Sequence, residues 1–268
     1  RERLLSVSTS RILPAESGNA TRALMVRDVT DEERVHRLLG EFMANITHEF
    51  RTPLSALAAS MELLVEELPE LSKEEMSQLL EALNIGIIDL QSLIDNLIEA
   101  ASIEAGRFKV NPRAVPLSAI LEDAQKTVQP LFRKKGLHLQ MPKTRPSILV
   151  RADQRRSVQA MVNLLSNAIK HSPERGTISL RILLLEEAVL LEIQDEGPGV
   201  QPEFQDRLFR RFTSLEASQD LSAAGMGLGL SVVKAVIEAQ GGRVGFRNHE
   251  DGGAIFWFTL LVVPEDQA

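Results

Sequence analysis

Residues 45–54 read NITHEFRTPL and residues 163–171 read NLLSNAIKH, and these two runs decide how the fold of this chain is interpreted. The first run places His48, Glu49 and Thr52 within about one helical turn, directly before a proline. The second run spaces two asparagines four residues apart and follows them with a lysine. Both runs have the spacing of helices that carry polar groups on one face, so we expect two separate helices that each carry candidate functional residues.

The first run lies inside a long amphipathic pattern. Between Val35 and Leu68, apolar residues recur at steps of three and four, which predicts one continuous helix with a single apolar stripe. Thr30 and Glu33 are spaced as a capping box, so the helix is predicted to begin with Thr30 as its N-cap. Pro53 removes one backbone donor within this helix and is predicted to bend it.

A second helix is predicted from residue 72 to residue 105, where apolar residues repeat about every 3.5 residues. The short loop before it favours an antiparallel hairpin of the two helices. Leu80, Leu93 and Ile98 remain outside the seam between two helices. A dimeric four-helix bundle would cover them, and packing of the hairpin on the neighbouring part of its own chain is the alternative.

The segments on either side of the hairpin have mixed patterns. Residues 1–27 predict two short strands, at 4–13 and 22–27, around the turn PAESGN, which is too little for an independent domain. Residues 29–110 are assigned to the hairpin and its leading helix and residues 111–268 to a separate domain, with a hinge near residues 105–115. In this last domain helices and strands alternate without a regular βαβ period, which predicts an α+β sandwich of helices on a sheet. The expected helices are at 117–135, 157–170, 203–212 and 227–239, and the expected strands are at 138–141, 148–150, 177–185, 188–194, 243–247 and 254–262.

The composition limits the classes of function. The 268 residues carry a net charge of −7 with no block of Lys or Arg, which argues against a nucleic-acid partner. Cysteine is absent, so disulfides and thiolate metal sites are excluded. No apolar run approaches the roughly 20 residues that a membrane-spanning helix needs, and the N-terminus lacks the form of a secretory signal. A soluble, cytoplasmic chain is therefore expected, with a membrane anchor upstream of residue 1 left open.

His48 is the candidate nucleophile. It lies two residues after the apolar position Ile46, about 200° around the helix, so its ring is predicted to face solvent. A neutral imidazole is a competent nucleophile that titrates near physiological pH. A carboxylate that accepts the Nδ1 proton would fix the tautomer and leave Nε2 to attack, and Glu49 lies next to His48 in the sequence. An arbitrary surface histidine is most often only solvated, and it is the surrounding run that favours a catalytic role.

Asn163, Asn167 and Lys170 project from one side of the second helical run. A carboxamide oxygen is a hard ligand suited to Mg²⁺, and an ammonium group suits phosphate. Asparagine lowers helix propensity slightly, so two on one helix need a reason. Capping or ordinary polar surface is the alternative to a phosphate and metal site.

Two glycine motifs follow. Residues 195–199 read DEGPG after a predicted strand. Asp195 can accept a hydrogen bond from an exocyclic amine such as that of adenine, and Gly197 and Gly199 let the backbone approach a flat base. Residues 225–230 read GMGLGL and open the next helix, where backbone N–H groups suit phosphate. Neither a dinucleotide fingerprint nor a Walker lysine is present, so those two nucleotide folds are disfavoured.

In combination, the motifs resemble those of the sensor histidine kinases of two-component signalling. THEFRTPL at 47–54 resembles the phosphoacceptor box, NLLSNAIKH the asparagine box, DEGPG the first glycine box, LFRRF at 208–212 the phenylalanine box and GMGLGL the second glycine box. The five motifs stand in the family's order, and the resemblance covers about residues 30–262. It implies a multidomain chain in which an all-α helical hairpin forms a dimeric four-helix bundle and is followed by an α+β sandwich of Bergerat type that binds ATP.

The resemblance also implies a role for each matching residue. His48 would accept the phosphoryl group from MgATP and pass it to an aspartate on the receiver domain of a response regulator, with Glu49 as general base. In the ATP-binding domain, Asn167 would hold Mg²⁺ with support from Asn163, and Asp195 would bind the adenine amine. The remaining nucleotide contacts are assigned to Lys170, His171, Gly197, Gly199, Arg207, Gly225, Gly227, Gly229 and Leu230.

The resemblance also has implications for Arg207, for Glu49 with Thr52, for His171 and for the N-terminal segment. Arg207 matches a basic position that can face the γ-phosphate. Glu49 and Thr52 match an E-x-x-T pattern associated with phosphatase activity toward the response regulator, which would make the enzyme bifunctional. His171 stands where many members have a tyrosine beside the base, and residues 1–28 resemble the tail of an upstream PAS sensor domain. An ATPase of the wider Bergerat group and a catalytically silent dimeric adaptor are the alternatives.

Overall fold

The chain forms two compact units, Arg1–His48 and Glu49–Ala268, with the boundary inside the first helix. The computed structural model describes residues 3–12, 21–67, 69–142, 148–210 and 227–264. The domain boundaries predicted at residues 28 and 110 stay predictions.

The first unit contains a two-stranded antiparallel ribbon, β1 (Leu5–Ile12) and β2 (Thr21–Asp28), which confirms the two predicted strands. The register places Val7 opposite Val26, and both side chains are exposed. The turn predicted at residues 14–19 lies outside the described residues.

The first helix, α1 (Thr30–Glu66), starts with Thr30 as a helical residue, so the predicted N-cap role of Thr30 is wrong. The Asp28 carboxylate accepts hydrogen bonds from the Thr30 backbone N–H at 3.1 Å and from the Thr30 hydroxyl at 2.5 Å. The same hydroxyl oxygen accepts the Leu4 N–H at 2.9 Å. Val29 therefore takes the N-cap position, since its carbonyl accepts the Glu33 N–H at 2.9 Å, and Asp28 lies one residue before it. The hydrogen bonds from Thr30 lower the pKa of Asp28.

The second helix, α2 (Lys73–Glu104), confirms its prediction and has a complete capping box. The Ser72 hydroxyl accepts the Glu75 N–H at 3.2 Å, and the Glu75 carboxylate accepts the Ser72 N–H at 2.9 Å. Close packing of α1 on α2 depends on Gly86, because a Cβ at that position would lie 2.8 Å from the Leu57 Cγ. The glycine was not recognised in the sequence as a packing position.

Much of the apolar surface of the hairpin is exposed in this single chain. Among the side chains that the structure describes, the exposed large apolar residues on the two helices are Met43, Leu54, Met61, Leu63, Val65, Leu80, Ile87, Ile94 and Ile98. Among the described residues, no helix has both the length and the apolar character needed to cross a membrane.

In its described residues, the second unit continues with one mixed sheet and four further helices. In chain order the elements are β3 (Arg113–Pro116), α3 (Leu117–Lys135), β4 (His138–Gln140), β5 (Leu149–Ala152), α4 (Gln154–His171), β6 (Thr177–Leu184), β7 (Ala188–Gln194), α5 (Pro202–Gln205), α6 (Gly229–Glu238), β8 (Val244–Asn248) and β9 (Ala254–Val262). The seven described strands follow the order β3-β5-β9-β7-β6-β4, with β8 also paired to β9. The pairs are antiparallel except for β4 with β6, and the predicted α+β fold is confirmed.

The apolar core of this domain lies between the sheet and helices α3, α4 and α6. Alternate residues of the central strands point into it, so Leu191 and Ile193 on β7 and Phe258 on β9 are fully or almost fully buried. Burial of side chains of this size stabilises the fold by roughly 1.5–3 kcal/mol each. The core thereby fixes the end of β7 and one face of α4, which carry the polar residues described below.

Two predicted elements need correction. Residues 113–115 were expected within a linker, but they form β3, in which Val115 pairs with Val150 of β5. A four-residue strand that ends in a proline shows no detectable alternation, and proline is compatible with the edge position that β3 occupies. The helix expected at 203–212 is too long, because α5 ends at Gln205 and turns follow up to residue 210 as Leu208 enters the core.

Candidate functional site

Helix α4 presents the predicted asparagine motif on one face. The Asp153 carboxylate caps its first turn by accepting the Arg156 N–H at 3.3 Å. Asn163 is buried, Asn167 is half-buried, and Lys170 is exposed near the C-terminal end of the helix. The helix therefore places a buried amide, a more accessible amide and an exposed cation in sequence toward its C-terminal end.

The C-terminal end of α4 is stabilised by a cation from α3. The Lys135 ammonium donates hydrogen bonds to the backbone carbonyls of Ile169 at 2.7 Å and of Lys170 at 2.9 Å. Burial lowers the pKa of the adjacent His171, and the positive charges of Lys170 and Lys135 lower it further. His171 therefore lies beside the site as a neutral ring.

Asp195, directly after β7, is held by backbone donors. It is 4% exposed, and its Oδ1 accepts the Gly197 N–H at 2.9 Å and the Ala254 N–H at 3.1 Å. Burial raises the pKa of Asp195, and these two hydrogen bonds oppose that rise. Within the described part of the chain, Oδ2 accepts no hydrogen bond, so this oxygen remains for an amine of a ligand.

The loop that follows Asp195 needs its glycines. A Cβ at Gly197 would lie 2.8 Å from the His171 carbonyl oxygen, and Gly199 has a φ of 74°. The close approach at Gly197 places the first glycine motif against the end of α4.

Two residues that fix this loop were missed by sequence reasoning. Asn248 accepts the Val200 N–H and donates to the Val200 carbonyl, both at 2.8 Å. Gly253 has a φ of 83°, and a Cβ there would lie 2.0 Å from the Asp195 carbonyl oxygen. The pair Gly252-Gly253 before a strand was the available signal, since consecutive glycines mark backbone that other residues adopt poorly.

The second glycine motif lies against α4. Gly227 has a φ of 64°, and Gly229 is the first residue of α6. A Cβ at Gly229 would be 3.8 Å from the Asn163 Cγ, so the start of α6 lies beside the asparagine motif. Leu230 is half-buried next to Gly229, and Gly225 lies outside the described residues.

Arg207 has an exposed side chain in the turn after α5. Its backbone N–H bonds the Phe204 carbonyl at 3.0 Å, and its carbonyl accepts the Arg210 N–H at 2.9 Å. These contacts hold the turn and do not connect Arg207 with the glycine motifs, so its assignment to the γ-phosphate stays a prediction.

The phosphoacceptor run lies on α1, which continues through Pro53. His48 is exposed, which confirms the prediction that its imidazole faces solvent. Glu49 is half-buried and Thr52 is exposed. The roles assigned to these three side chains stay predictions.

The donor set on α4 fits Mg²⁺ bound together with phosphates. Among the described residues there is no group of three or more His, Cys, Asp or Glu side chains able to hold a metal ion. Mg²⁺ usually takes few protein ligands and keeps water and substrate phosphates as the others. The half-buried carboxamide of Asn167 is a suitable single oxygen ligand for such a shared ion.

Sequence reasoning also missed the surroundings of Asn163. Its amide exchanges hydrogen bonds with the amide of Asn96 on α2, at 2.8 Å and 3.1 Å. Such long-range pairs leave no signal in residue spacing.

The outer face of the sheet holds a separate open groove of about 1020 Å³, lined in part by Leu184, Arg247 and Trp257. It contains none of the residues predicted to bind nucleotide. The candidate site, where the loop after β7 and the start of α6 approach α4, is therefore distinct from this groove.

Comparison with known families assigns both parts of the chain. Residues 38–106 match the His Kinase A (phospho-acceptor) domain, and residues 152–264 match the histidine kinase-, DNA gyrase B-, and HSP90-like ATPase domain. The chain belongs to the sensor histidine kinases. The presence of the phospho-acceptor domain ahead of the ATPase domain argues against the alternative of a gyrase-like or chaperone-like ATPase.

Individual sensor proteins show the same similarity. The chain is 30% identical to the sensory/regulatory protein RpfC of Xanthomonas campestris pv. campestris over 88% of this chain and 33% of RpfC. It is 29% identical to the phosphate regulon sensor protein PhoR of Pseudomonas aeruginosa over 82% of this chain and 49% of PhoR. The crystal structure of full-length ShkA in complex with AMPPNP superposes with a TM-score of 0.54 at 29% identity, covering 84% of this chain and 46% of ShkA. The histidine kinase thus spans a third to a half of the curated relatives named here.

Proposed function

We propose that the chain uses ATP to phosphorylate its own His48 and passes the phosphoryl group to an aspartate on the receiver domain of a response regulator. One observation carries the proposal. A single chain joins a phospho-acceptor domain, in which His48 is exposed, to an ATPase domain in which a buried carboxylate and two glycine motifs meet at α4.

The nucleotide would be held at both of its ends. Asp195 would accept a hydrogen bond from the adenine amine, beside the neutral ring of His171. Lys170 and the backbone N–H groups at the start of α6 would contact the phosphates, where the helix end favours negative charge. The bound AMPPNP in ShkA, an ATP analogue, supports an ATP site in this domain.

A Mg²⁺ ion shared between Asn167 and the phosphates would neutralise charge at the transferring group. The lone pair of His48 Nε2 would form a bond to the γ-phosphorus while the bond from that phosphorus to the bridging oxygen breaks. ADP would leave with the electron pair, and the Nδ1 proton would pass to Glu49. The phosphoryl group would then move to a carboxylate oxygen of the response regulator.

The proposal includes a dimer. The exposed apolar residues of α1 and α2, among them Leu54, Met61, Ile87 and Ile94, would be buried by a second copy in a four-helix bundle.

The ribbon of β1 and β2 supports an upstream sensor domain in the same chain. Two strands do not form a stable unit alone, so we propose that they complete a sensor of PAS type. The natural protein would then carry a signal through α1 to the phosphoacceptor, and the chain would function in the cytoplasm, where ATP is available.

Phosphatase activity toward the response regulator is proposed as a second activity. Thr52 lies one turn after His48 on α1 and is exposed, which suits the orientation of a water molecule against an acyl phosphate. Thr52→Ala is expected to spare autophosphorylation and to slow dephosphorylation, and equal loss of both would contradict this division of roles.

Labelling with γ-labelled ATP tests the main proposal. We expect acid-labile, base-stable label on the protein, lost in His48→Gln and retained in His138→Gln, which alters another exposed histidine. Released phosphate without labelled protein would favour an ATPase. Neither label nor phosphate would favour a silent adaptor.

A further inference from the structure

Two side chains on α2 bind three side chains on α4. Asn96 donates through Nδ2 to Asn163 Oδ1 at 3.1 Å and accepts from Asn163 Nδ2 at 2.8 Å. Both residues are 8% exposed, so these bonds form away from water. Both the oxygen and the nitrogen of the Asn163 amide are therefore hydrogen-bonded to α2.

One turn further along α2, Glu99 forms an ionic contact with the same helix. Its carboxylate is bonded by Arg156 and lies 3.4 Å from the Arg155 guanidinium. Glu99 is only 4% exposed, and a buried carboxylate of this kind requires such partners. The Arg156 guanidinium also lies 4.5 Å from the centre of the Phe108 ring, which holds it in place.

The contacts belong to one docked surface. Arg156 and Asn163 are seven residues apart on α4, and Asn96 and Glu99 are three apart on α2, so each pair shares a helical face. α2 also packs on α3 and α6. Burial raises the pKa of Asp89 on α2, opposed by the charge of Lys134 on α3.

Asn163 therefore has two competing uses. In the proposed function, it supports the cation and phosphate end of the nucleotide, and the start of α6 lies against it. In this structure its amide is committed to Asn96. We propose that Asn96 and Glu99 form a clasp that holds α2 on the ATP-binding domain and keeps the nucleotide site incomplete until it opens. This inference rests on the proposed function.

Gln159 supports a clasp that opens. It lies between Arg156 and Asn163 on the same face of α4. Both polar atoms of its side chain are buried and find no hydrogen-bond partner among the described residues. An unsatisfied buried amide costs free energy, which is regained when the face is uncovered and water reaches it. The face of α4 that carries both contacts therefore also carries an unsatisfied amide between them.

Binding of a fluorescent ATP analogue tests the clasp without any phosphoryl transfer. Asn96→Ala and Glu99→Gln are each expected to tighten binding, by about tenfold if the closed clasp holds about nine molecules in ten. Asn84→Ala and Asp95→Asn make the same chemical changes at exposed positions of α2 and are expected to leave affinity unchanged. Circular dichroism would show that the variants fold.

A cross-link tests the closed state directly, since the chain has no cysteine of its own. In Glu99→Cys/Arg156→Cys, a short bis-methanethiosulfonate reagent is expected to abolish analogue binding, and reductant is expected to restore it to the level of Glu99→Gln. Unchanged affinity in both single variants, or full binding in the cross-linked protein, would overturn the clasp and leave the proposed function standing. Failure of parent and variants alike to bind the analogue would overturn both.

Discussion

Asp195 and Asn163 are buried to nearly the same degree, at 4% and 8% exposure, yet different parts of the molecule hold them. Asp195 accepts backbone N–H groups of Gly197 and Ala254, within the same domain. Asn163 bonds a side chain on α2. Backbone donors within a folded loop are not released without local unfolding, whereas two packed elements can separate as rigid bodies. In the proposed nucleotide site, the base end at Asp195 would therefore be preformed, and the phosphate end at Asn163 would be exchangeable.

A substitution at Gly253 is expected to disrupt the loop that holds Asp195. We expect Gly253→Ala to lower the free energy of unfolding by about 3 kcal/mol or more, because its Cβ would lie 2.0 Å from the Asp195 carbonyl oxygen at a positive φ. Urea denaturation of the purified chain measures this change. Gly252→Ala is the matched control, since its φ is also positive but its Cβ meets nothing within 4 Å, and about 1 kcal/mol is expected. Equal effects of the two substitutions would contradict this account of the loop.

Asp195→Asn removes the charge while it keeps the shape of the base end. We expect nucleotide affinity to fall about 100-fold, because the loss of a charged acceptor buried beside its donor costs about 3 kcal/mol. Isothermal titration with a non-hydrolysable ATP analogue checks this value. Asp206→Asn, at an exposed position after α5, is expected to change nothing. A similar loss in both variants would mean that net charge rather than a base contact determines affinity.

Substitutions of the two asparagines of α4 test whether the phosphate end of the proposed site exchanges between α2 and nucleotide. Asn167→Ala is expected to weaken Mg²⁺-dependent binding of the analogue by about tenfold, since one oxygen ligand is lost. Asn163→Ala is expected to weaken it less, because the loss of a contact is offset by release from Asn96. Titrations with and without Mg²⁺ measure both effects. A larger loss for Asn163→Ala than for Asn167→Ala would contradict the competition between α2 and nucleotide.

The smallest effect concerns pH. The pKa of His171 is lowered in the folded protein from its usual 6.5, so below that value the unfolded chain binds more protons than the folded one. Stability is therefore present in full above about pH 6.5 and falls as the solution is acidified below it. Thermal unfolding between pH 5 and 8 is expected to show this slope, and His171→Gln is expected to flatten it. An unchanged slope in the variant would exclude His171 as its source.

Helices and strands with an uninterrupted apolar pattern were predictable from the sequence. The bounds of α3 and β9 agree with the predictions, because their apolar residues recur with one period against a single core. The glycine motifs were also found, since positive φ and close approach require glycine at Gly199 and Gly227. Sequence patterns were therefore sufficient wherever the backbone conformation or the apolar periodicity of a short segment determines the residue type.

The remaining features depend on contacts between distant segments. Asn96 and Glu99 look like ordinary polar positions on an amphipathic helix, and only the fold brings them to α4. Asn248 is equally inconspicuous in the sequence, although it fixes the loop after Asp195. Side-chain pairs across 50 or more residues leave no periodic pattern, which is why the clasp was missed while the motifs on either side of it were recognised.

Hydrogen exchange on the unmodified chain, with and without Mg²⁺ and a non-hydrolysable ATP analogue, tests the division between the two ends most directly. We expect nucleotide to leave the strongly protected amides around Asp195 protected and to increase exchange along residues 93–104 of α2 as the clasp opens. Unchanged or slower exchange in residues 93–104, at nucleotide concentrations that saturate the site, would contradict the account.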